Sequence, residues 1–211
     1  MLAYPASAKP IDYSKPIFIQ PKLDGVRCVI QCEIIHGAPC VTAYSRTGKV
    51  WKNIDHIRME LRSFFKKYPN VILDGELYNH DLRDDFEKII SLVRKQKPTN
   101  EDKQEAQDLV QFHCYDVIDE TLTFEERNYF IQKHIKPSYC VKHVTTMAVG
   151  DDRLAKMIHQ QNLKNGYEGS ILRTNDIYQC KRSHNLRKFK DFSDAEAIII
   201  GYQPGKGKRE G

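Results

Sequence analysis

Between Ile17 and Ile35 the chain is dense in apolar, β-prone residues and is broken once, at Asp24-Gly25. Such a stretch reads as two strands meeting at a turn, because β-branched and aromatic side chains fit a pleated surface and Asp-Gly tolerates turn backbone. His36-Gly37-Ala38-Pro39 predicts another turn, and Val41–Tyr44, Val71–Tyr78, Leu109–Ile118, residues 139–148 and Gly169–Arg173 predict further strands. Helical spacing of Ile54, Ile57, Leu61, Phe64 and Phe65 predicts a helix with Asn53 as N-cap, and Phe86, Ile89, Ile90 and Val93 mark a second. Thr123 with Glu126 three residues on predicts a capped helix running to about Ile135. Asp151–Leu163 is also helical by pattern, with Gly166 beyond its end. Strands with interspersed helices, and no regular βαβ alternation, predict an α+β fold of two largely antiparallel sheets with flanking helices.

Two stretches carry no periodic signal. Residues 1–16, with Pro5, Pro10 and Pro16, read as an extended lead-in, and residues 95–108 read as a polar, exposed connection. Phe189 to Tyr202 is strand-rich before Pro204-Gly205-Lys206-Gly207 breaks the pattern.

Composition excludes several classes of function. With 40% hydrophobic and 29% charged residues in 211, the chain is globular, and no apolar run approaches the ~20 residues of a membrane span. The first residues lack the basic and apolar regions of a secretory signal. The six cysteines form no CxxC pair, which argues against a zinc site and for a reducing compartment. Lys and Arg exceed Asp and Glu by 33 to 28, a net charge of +5 that alone does not establish a nucleic-acid partner. Its distribution is more telling: residues 181–190 hold Lys181, Arg182, Arg187, Lys188 and Lys190 with no acid, a run suited either to a polyanion or to a solvated face.

Lys22-Leu23-Asp24-Gly25-Val26-Arg27 places a lysine at a strand end beside a tight turn and an arginine. A free lysine amine has a pKa near ~10.4, so its neutral, nucleophilic form costs about 4–5 kcal/mol at pH 7. Nearby cations or desolvation reduce that cost. Alone, the segment reads better as a surface lysine before a turn. It is followed, however, by Ser45-Arg46-Thr47-Gly48-Lys49, Leu73-Asp74-Gly75-Glu76-Leu77-Tyr78, Phe112-His113-Cys114-Tyr115-Asp116, Tyr167-Glu168-Gly169-Ser170-Ile171-Leu172-Arg173 and Leu186-Arg187-Lys188-Phe189-Lys190. Each is weak by itself; the ordered series is not.

That series resembles the covalent nucleotidyltransferase superfamily, and most closely its ATP-dependent DNA ligases, over essentially the whole chain. The resemblance implies an ATP-grasp-like nucleotidyltransferase (adenylation) domain over residues 1–192 and the start of an OB-fold domain over residues 193–211. It implies that Lys22 attacks the α-phosphate of ATP and carries AMP as a covalent adduct, with Lys188 and Lys190 stabilising developing phosphate charge. By the same resemblance Gln20, Leu23, Arg27, Arg46, Glu76 and Tyr115 join them in holding the nucleotide. Glu76 would accept from a ribose hydroxyl, Tyr115 would stack on adenine and Gln20 would read the base edge. Glu168 becomes the candidate Mg2+ ligand, since Mg2+ takes hard oxygens and substrate phosphates. Nicked double-stranded DNA would be the partner, met at its phosphates by Arg46, Lys49, Lys181, Arg182 and Arg187.

A ligase of this type continues through an OB fold to a final basic motif, and the sequence stops short of both. Nothing ahead of Lys22 resembles an N-terminal DNA-binding domain. The expectation is therefore a compact monomeric enzyme of viral, phage or bacterial type, cytoplasmic in a bacterium or infected cell, serving repair, replication or recombination. Its alternatives are an RNA ligase, a capping guanylyltransferase using GTP, and a non-catalytic nucleic-acid-binding relative.

Overall fold

The computed structural model describes residues 1–190 and 200–201. In chain order the strands are β1 (Leu2–Pro5), β2 (Ile17–Lys22), β3 (Val26–Ile35), β4 (Ala38–Tyr44), β5 (Leu73–Tyr78), β6 (Gln111–Val117), β7 (Val141–His143), β8 (Met147–Val149), β9 (Gly169–Thr174) and β10 (Arg182–Phe189). The helices are α1 (Asp55–Glu60), α2 (Arg62–Lys67), α3 (Phe86–Val93), α4 (Asn100–Leu109), α5 (Phe124–His134) and α6 (Asp152–Lys164).

Two five-stranded sheets result, in the orders β1-β10-β9-β2-β8 and β4-β3-β5-β6-β7. Most pairs are antiparallel, as expected; β1 with β10 and β6 with β7 are parallel edge pairs. The expected strands either side of Asp24-Gly25 exist but do not pair with each other. β2 belongs to the first sheet and β3 to the second, so Leu23-Asp24-Gly25 is the crossing between them. Gly25 is required there, because a Cβ would stand 2.4 Å from the Leu77 carbonyl oxygen.

One face of the first sheet packs Ile17, Ile19, Val149 and Leu172 against Ala155 and Ile158 of α6. The second sheet has a larger core. Cys28, Ile30, Leu73, Leu77, Phe112 and Cys114 pack there against Ile57, Phe65, Ile89, Val93 and Ala106 of the helices. The period-two alternation of the strands sends every other side chain to the opposite face, where the site lies.

Several elements differ from their sequence pattern. The helix expected from Ile54 to Phe65 is two short helices meeting at Leu61. Asn53 is not its N-cap; its buried amide donates to the Leu92 and Asp102 carbonyls, each at 3.1 Å, tying the start of α1 to α3 and α4. Residues 95–108 are not simply an exposed connection, since they contain most of α4. Only Ala106 of that helix is buried, which left no apolar stripe to read. Its start is marked by a capping box between Thr99 and Asp102, a local signal that was present in the sequence. The single strand expected over residues 139–148 is β7 and β8, on different sheets. The extended lead-in contains β1, and the basic run after Lys181 is the body of β10. The capping box at Thr123 and Glu126 forms as expected. The expected OB-fold start at 193–211 lies outside the described residues, save for 200–201.

Candidate active site

Register brings the candidate residues of the first sheet together. Across β2, β9 and β10, Phe18 pairs with Arg173 and Arg173 with Leu186; Gln20 pairs with Ile171 and Ile171 with Lys188; Lys22 pairs with Gly169. Cross-strand partners share a face, so Gln20, Lys22, Ile171, Arg173, Leu186 and Lys188 all lie on the side away from α6. The second sheet contributes Asp74 and Glu76 from β5 and Tyr115 from β6. Between them is a cavity of about 170 Å³ lined by Gln20, Lys22, Leu23, Glu76, Tyr115 and Arg173, among others.

At its mouth Glu168 joins two lysines. Lys22 Nζ contacts Glu168 Oε2, and Lys190 Nζ contacts Glu168 Oε1 at 2.7 Å. Burial pushes the Glu168 carboxyl up, but its bonds to Lys190 and Lys22 outweigh that and hold it below the usual range. The same bond raises Lys190. Glu168 is placed by the residue after it. Gly169 has φ +150°, and a Cβ there would meet the Phe189 carbonyl oxygen at 2.4 Å. Gly169→Ala is therefore expected to lose about 2–4 kcal/mol from strain and overpacking. Urea unfolding checks this, and a loss under about 0.5 kcal/mol would contradict it.

Deeper in, Glu76 is half-buried, and no cation among the described residues pairs with it directly. Burial, then the charge of Asp74, push its carboxyl up to about 8 from its ordinary value of 4.5. The sign of the consequence follows from proton linkage. Between those values the folded chain keeps a proton that the unfolded chain has lost, so stability falls as pH rises through the window. Glu76→Gln removes that titration. Its melting temperature relative to the parent should be level near about pH 4 and rise towards about pH 8. A difference independent of pH would refute the shift.

Arg27 and Asp74 form a bidentate pair, with both Nε and Nη2 at 2.9 Å from the carboxylate. Burial alone would lower the guanidinium; Asp74 more than offsets it and raises it. Asp74 also accepts from Tyr178 Oη at 2.7 Å and Tyr115 Oη at 3.2 Å. Burial, with Asp74, raises both phenols. Arg27, expected to contact ribose or phosphate, is thus placed with its guanidinium against Asp74, while Tyr115 stands in the cavity wall with its hydroxyl anchored. Asp74, Arg173 and Tyr178 were not among the candidate site residues. Asp74 and Arg173 stand within the quoted motifs, yet only the folded contacts reveal what they hold.

The expected DNA-contacting residues divide. Arg46 and Lys49 are exposed in the loop after β4, where Ser45 closes a turn with its hydroxyl on the Lys49 amide at 3.0 Å. Lys181 and Arg182 are exposed at the start of β10, and Arg182 donates to the Ala3 carbonyl at 2.6 Å. Arg187 is buried, and its guanidinium donates to the carbonyls of Lys9, Pro10 and His184.

Among the described residues no group of three or more His, Cys, Asp or Glu could cage a metal ion. Glu168 offers a partly exposed carboxylate in contact with Lys22, which fits an Mg2+ held mainly by substrate phosphates and water. No helix of the described residues is long and apolar enough to cross a membrane.

The sequence profile of the ATP dependent DNA ligase domain matches residues 1–190. A DNA ligase of African swine fever virus is 29% identical over 204 residues, covering 92% of this chain and 46% of that protein. A DNA ligase of Haemophilus influenzae is 28% identical over 152 residues, covering 70% of this chain and 53% of its own length. Among solved structures, a Lig E DNA ligase, from a study of DNA binding with a minimal scaffold, superposes with TM-score 0.74 at 24% identity. It covers all of this chain and 75% of the other. The bacteriophage T7 ATP-dependent DNA ligase in complex with ATP gives TM-score 0.65 at 18% identity, covering 90% and 67%. The chain spans about half the length of the viral relatives it matches.

Proposed function

Because the chain belongs to the ATP-dependent DNA ligase domain family, we propose that it adenylates Lys22 with ATP and passes the AMP to the 5′-phosphate at a DNA nick, which a 3′-hydroxyl then attacks, sealing it with release of AMP. The observation that carries this reading is the convergence of Lys22, Glu168 and Lys190 at the mouth of a cavity whose walls are Gln20, Glu76 and Tyr115.

In the first step a P–N bond forms between Lys22 Nζ and the α-phosphorus, and the P–O bond to pyrophosphate breaks. Lys22 stands paired with Glu168, so Nζ must first give up a proton, to that carboxylate or to water, before it has a lone pair to attack with. Lys188 and Lys190 flank the position of the α-phosphate, where their charge offsets what develops on its oxygens. Tyr115 offers its ring to the base and Glu76 its carboxyl to a ribose hydroxyl. Leu23 completes the wall beside the lysine. Arg27 acts through Asp74, keeping Tyr115 and Tyr178 in place. Mg2+ would be held by Glu168 and would withdraw charge from the phosphates.

Intact mass before and after incubation with Mg2+ and ATP, GTP or NAD tests this. A gain of one AMP with ATP alone, reversed by pyrophosphate, is expected. A GMP adduct would point to the capping reaction, and the absence both of any adduct and of sealing at a pre-adenylated nick would favour a non-catalytic binder. Glu168→Ala should reduce the Mg2+ dependence of labelling, and unchanged dependence would remove Glu168 from the metal.

On the DNA side, Arg46, Lys49, Lys181 and Arg182 are the accessible cations. A nick has no base sequence to read, so each should act on phosphate. Lys49→Ala should weaken binding alike for all nicked duplexes and reduce the salt slope by about 0.9. A sequence-selective defect would contradict that role.

A further inference from the structure

The side-chain amide of Gln20 is held in one orientation by bonds whose donor and acceptor roles leave no alternative. Arg173 has donors only, so the Gln20 atom receiving its Nε–H at 2.7 Å is the oxygen. On the other side the Thr146 hydroxyl gives its proton to the Val144 carbonyl at 3.1 Å. That hydroxyl therefore accepts from Gln20 Nε2, at 2.8 Å. The second Nε2 proton goes to the Tyr115 carbonyl at 3.2 Å. Both amide hydrogens are committed, and Oε1 keeps one lone pair.

Arg173 is itself immobilised. Its Nη1 donates to Asp116 Oδ2 at 2.6 Å, and Asp116 is bonded in turn to Arg127 Nε at 2.7 Å. Arg173 is 5% exposed, Asp116 0% and Arg127 1%. The guanidinium also lies over the rings of Tyr115 and Phe124. Gln20 is buried in the wall shared with Tyr115 and Glu76, on the same strand face as Lys22 and one strand repeat deeper, roughly 7 Å.

We propose that Arg173 and Thr146 are positioning residues that keep Gln20 an acceptor-only group, so that the cavity selects a purine with a 6-amino group and rejects a 6-oxo purine. This rests on the reading of the cavity as the nucleotide site. A 6-amino proton meets the free lone pair of Oε1. A 6-oxo group sets oxygen against oxygen. A free glutamine would turn over and offer its NH2, but here that turn would point N–H at the guanidinium of Arg173 and oxygen at the Tyr115 carbonyl. Leaving buried polar groups opposed or unpaired in this way is what gives a site its largest discrimination.

The test is equilibrium binding and Lys22 labelling by the chain with three triphosphates: ATP, purine riboside triphosphate, which has hydrogen at the 6-position, and inosine triphosphate, which has 6-oxo. The expected order for the parent protein is ATP about fivefold above the 6-hydrogen analogue, and that analogue about tenfold above the 6-oxo one. In Arg173→Met the bond that fixes Oε1 is gone and only the Tyr115 carbonyl still opposes the turn, so the gap between 6-oxo and 6-hydrogen should narrow to about threefold. This ratio is taken within one variant, so a general loss of folded or active protein does not move it. If Arg173→Met does not fold, the order in the parent decides. Equal affinity for the 6-oxo and 6-hydrogen analogues in the parent, or unchanged ratios in a folded Arg173→Met, would overturn the proposal. Binding of nucleotides without this order sinks the orientation alone, whereas no binding of any triphosphate sinks the nucleotide-site reading with it.

Discussion

Lys22→Ala should leave no covalent nucleotide on the protein under conditions in which the parent is labelled, a loss of roughly 10⁴-fold or more in adduct formation. Two other candidate lysines stand on β10 or just beyond its end, but their geometry differs. Lys190 is 41% exposed and reaches Glu168 from the end of β10, and Lys188 lies in mid-strand opposite Ile171. Only Lys22 is on the strand that also carries Gln20, at the point where the chain crosses between the sheets. The substitution should cost little stability. The Lys22–Glu168 pair has side chains 23% and 21% exposed, and Glu168 retains Lys190. A partly solvated pair of this kind contributes up to about 1 kcal/mol. Labelling by mass and thermal unfolding of the same sample separate the two effects. Persistent labelling would show that another residue is the nucleophile; loss of labelling with collapse of the fold would show that Lys22 is structural.

Asp116→Ala should have the largest effect on stability. Asp116 is wholly buried and accepts from Arg127 Nε and Nη2, from Arg173 Nη1 and from the Val117 amide at 2.8 Å. Alanine would leave two guanidinium groups in the interior without their carboxylate. Removing one partner of a buried pair typically costs about 3–5 kcal/mol, because the remaining charge stays desolvated. For a domain of this size that lowers the melting temperature by roughly 10 °C. Chemical denaturation at neutral pH measures it, and a loss below about 1 kcal/mol would show that water or other groups replace Asp116. Asp116 does not line the cavity. A folded fraction of Asp116→Ala should nevertheless discriminate poorly between 6-amino and 6-oxo purines, because Arg173 loses its anchor.

The candidate positions that the fold brings together were legible in the sequence because they fall in short local patterns at strand ends and turns. Lys22 stands before Asp24-Gly25, Glu76 in Asp74-Gly75-Glu76, and Glu168 before Gly169, which needs a positive φ. Helices with an apolar stripe or a strong cap were legible for the same reason. α4 was missed although Thr99 and Asp102 mark its start, because its burial rests on Ala106 alone and leaves no apolar stripe. Arg187 gave no sign of its burial, since charge and spacing mark a basic run whether its members face water or carbonyl groups.

What the sequence determines by itself is therefore local: strand or helix by side-chain periodicity, turns by Asp-Gly and proline, and the residue types able to attack, pair with or stack on a nucleotide. The tertiary structure alone decided that β2 and β3 join different sheets, that Arg27 is matched by Asp74, and that the Gln20 oxygen is held by Arg173 and its nitrogen by Thr146 and Tyr115. These are outcomes of contacts between residues far apart in the chain; Gln20 and Arg173 are separated by 153 positions. Burial makes such contacts decisive. Away from water each polar group must find its partner within the protein, and the partner it finds fixes which atom remains to meet a substrate.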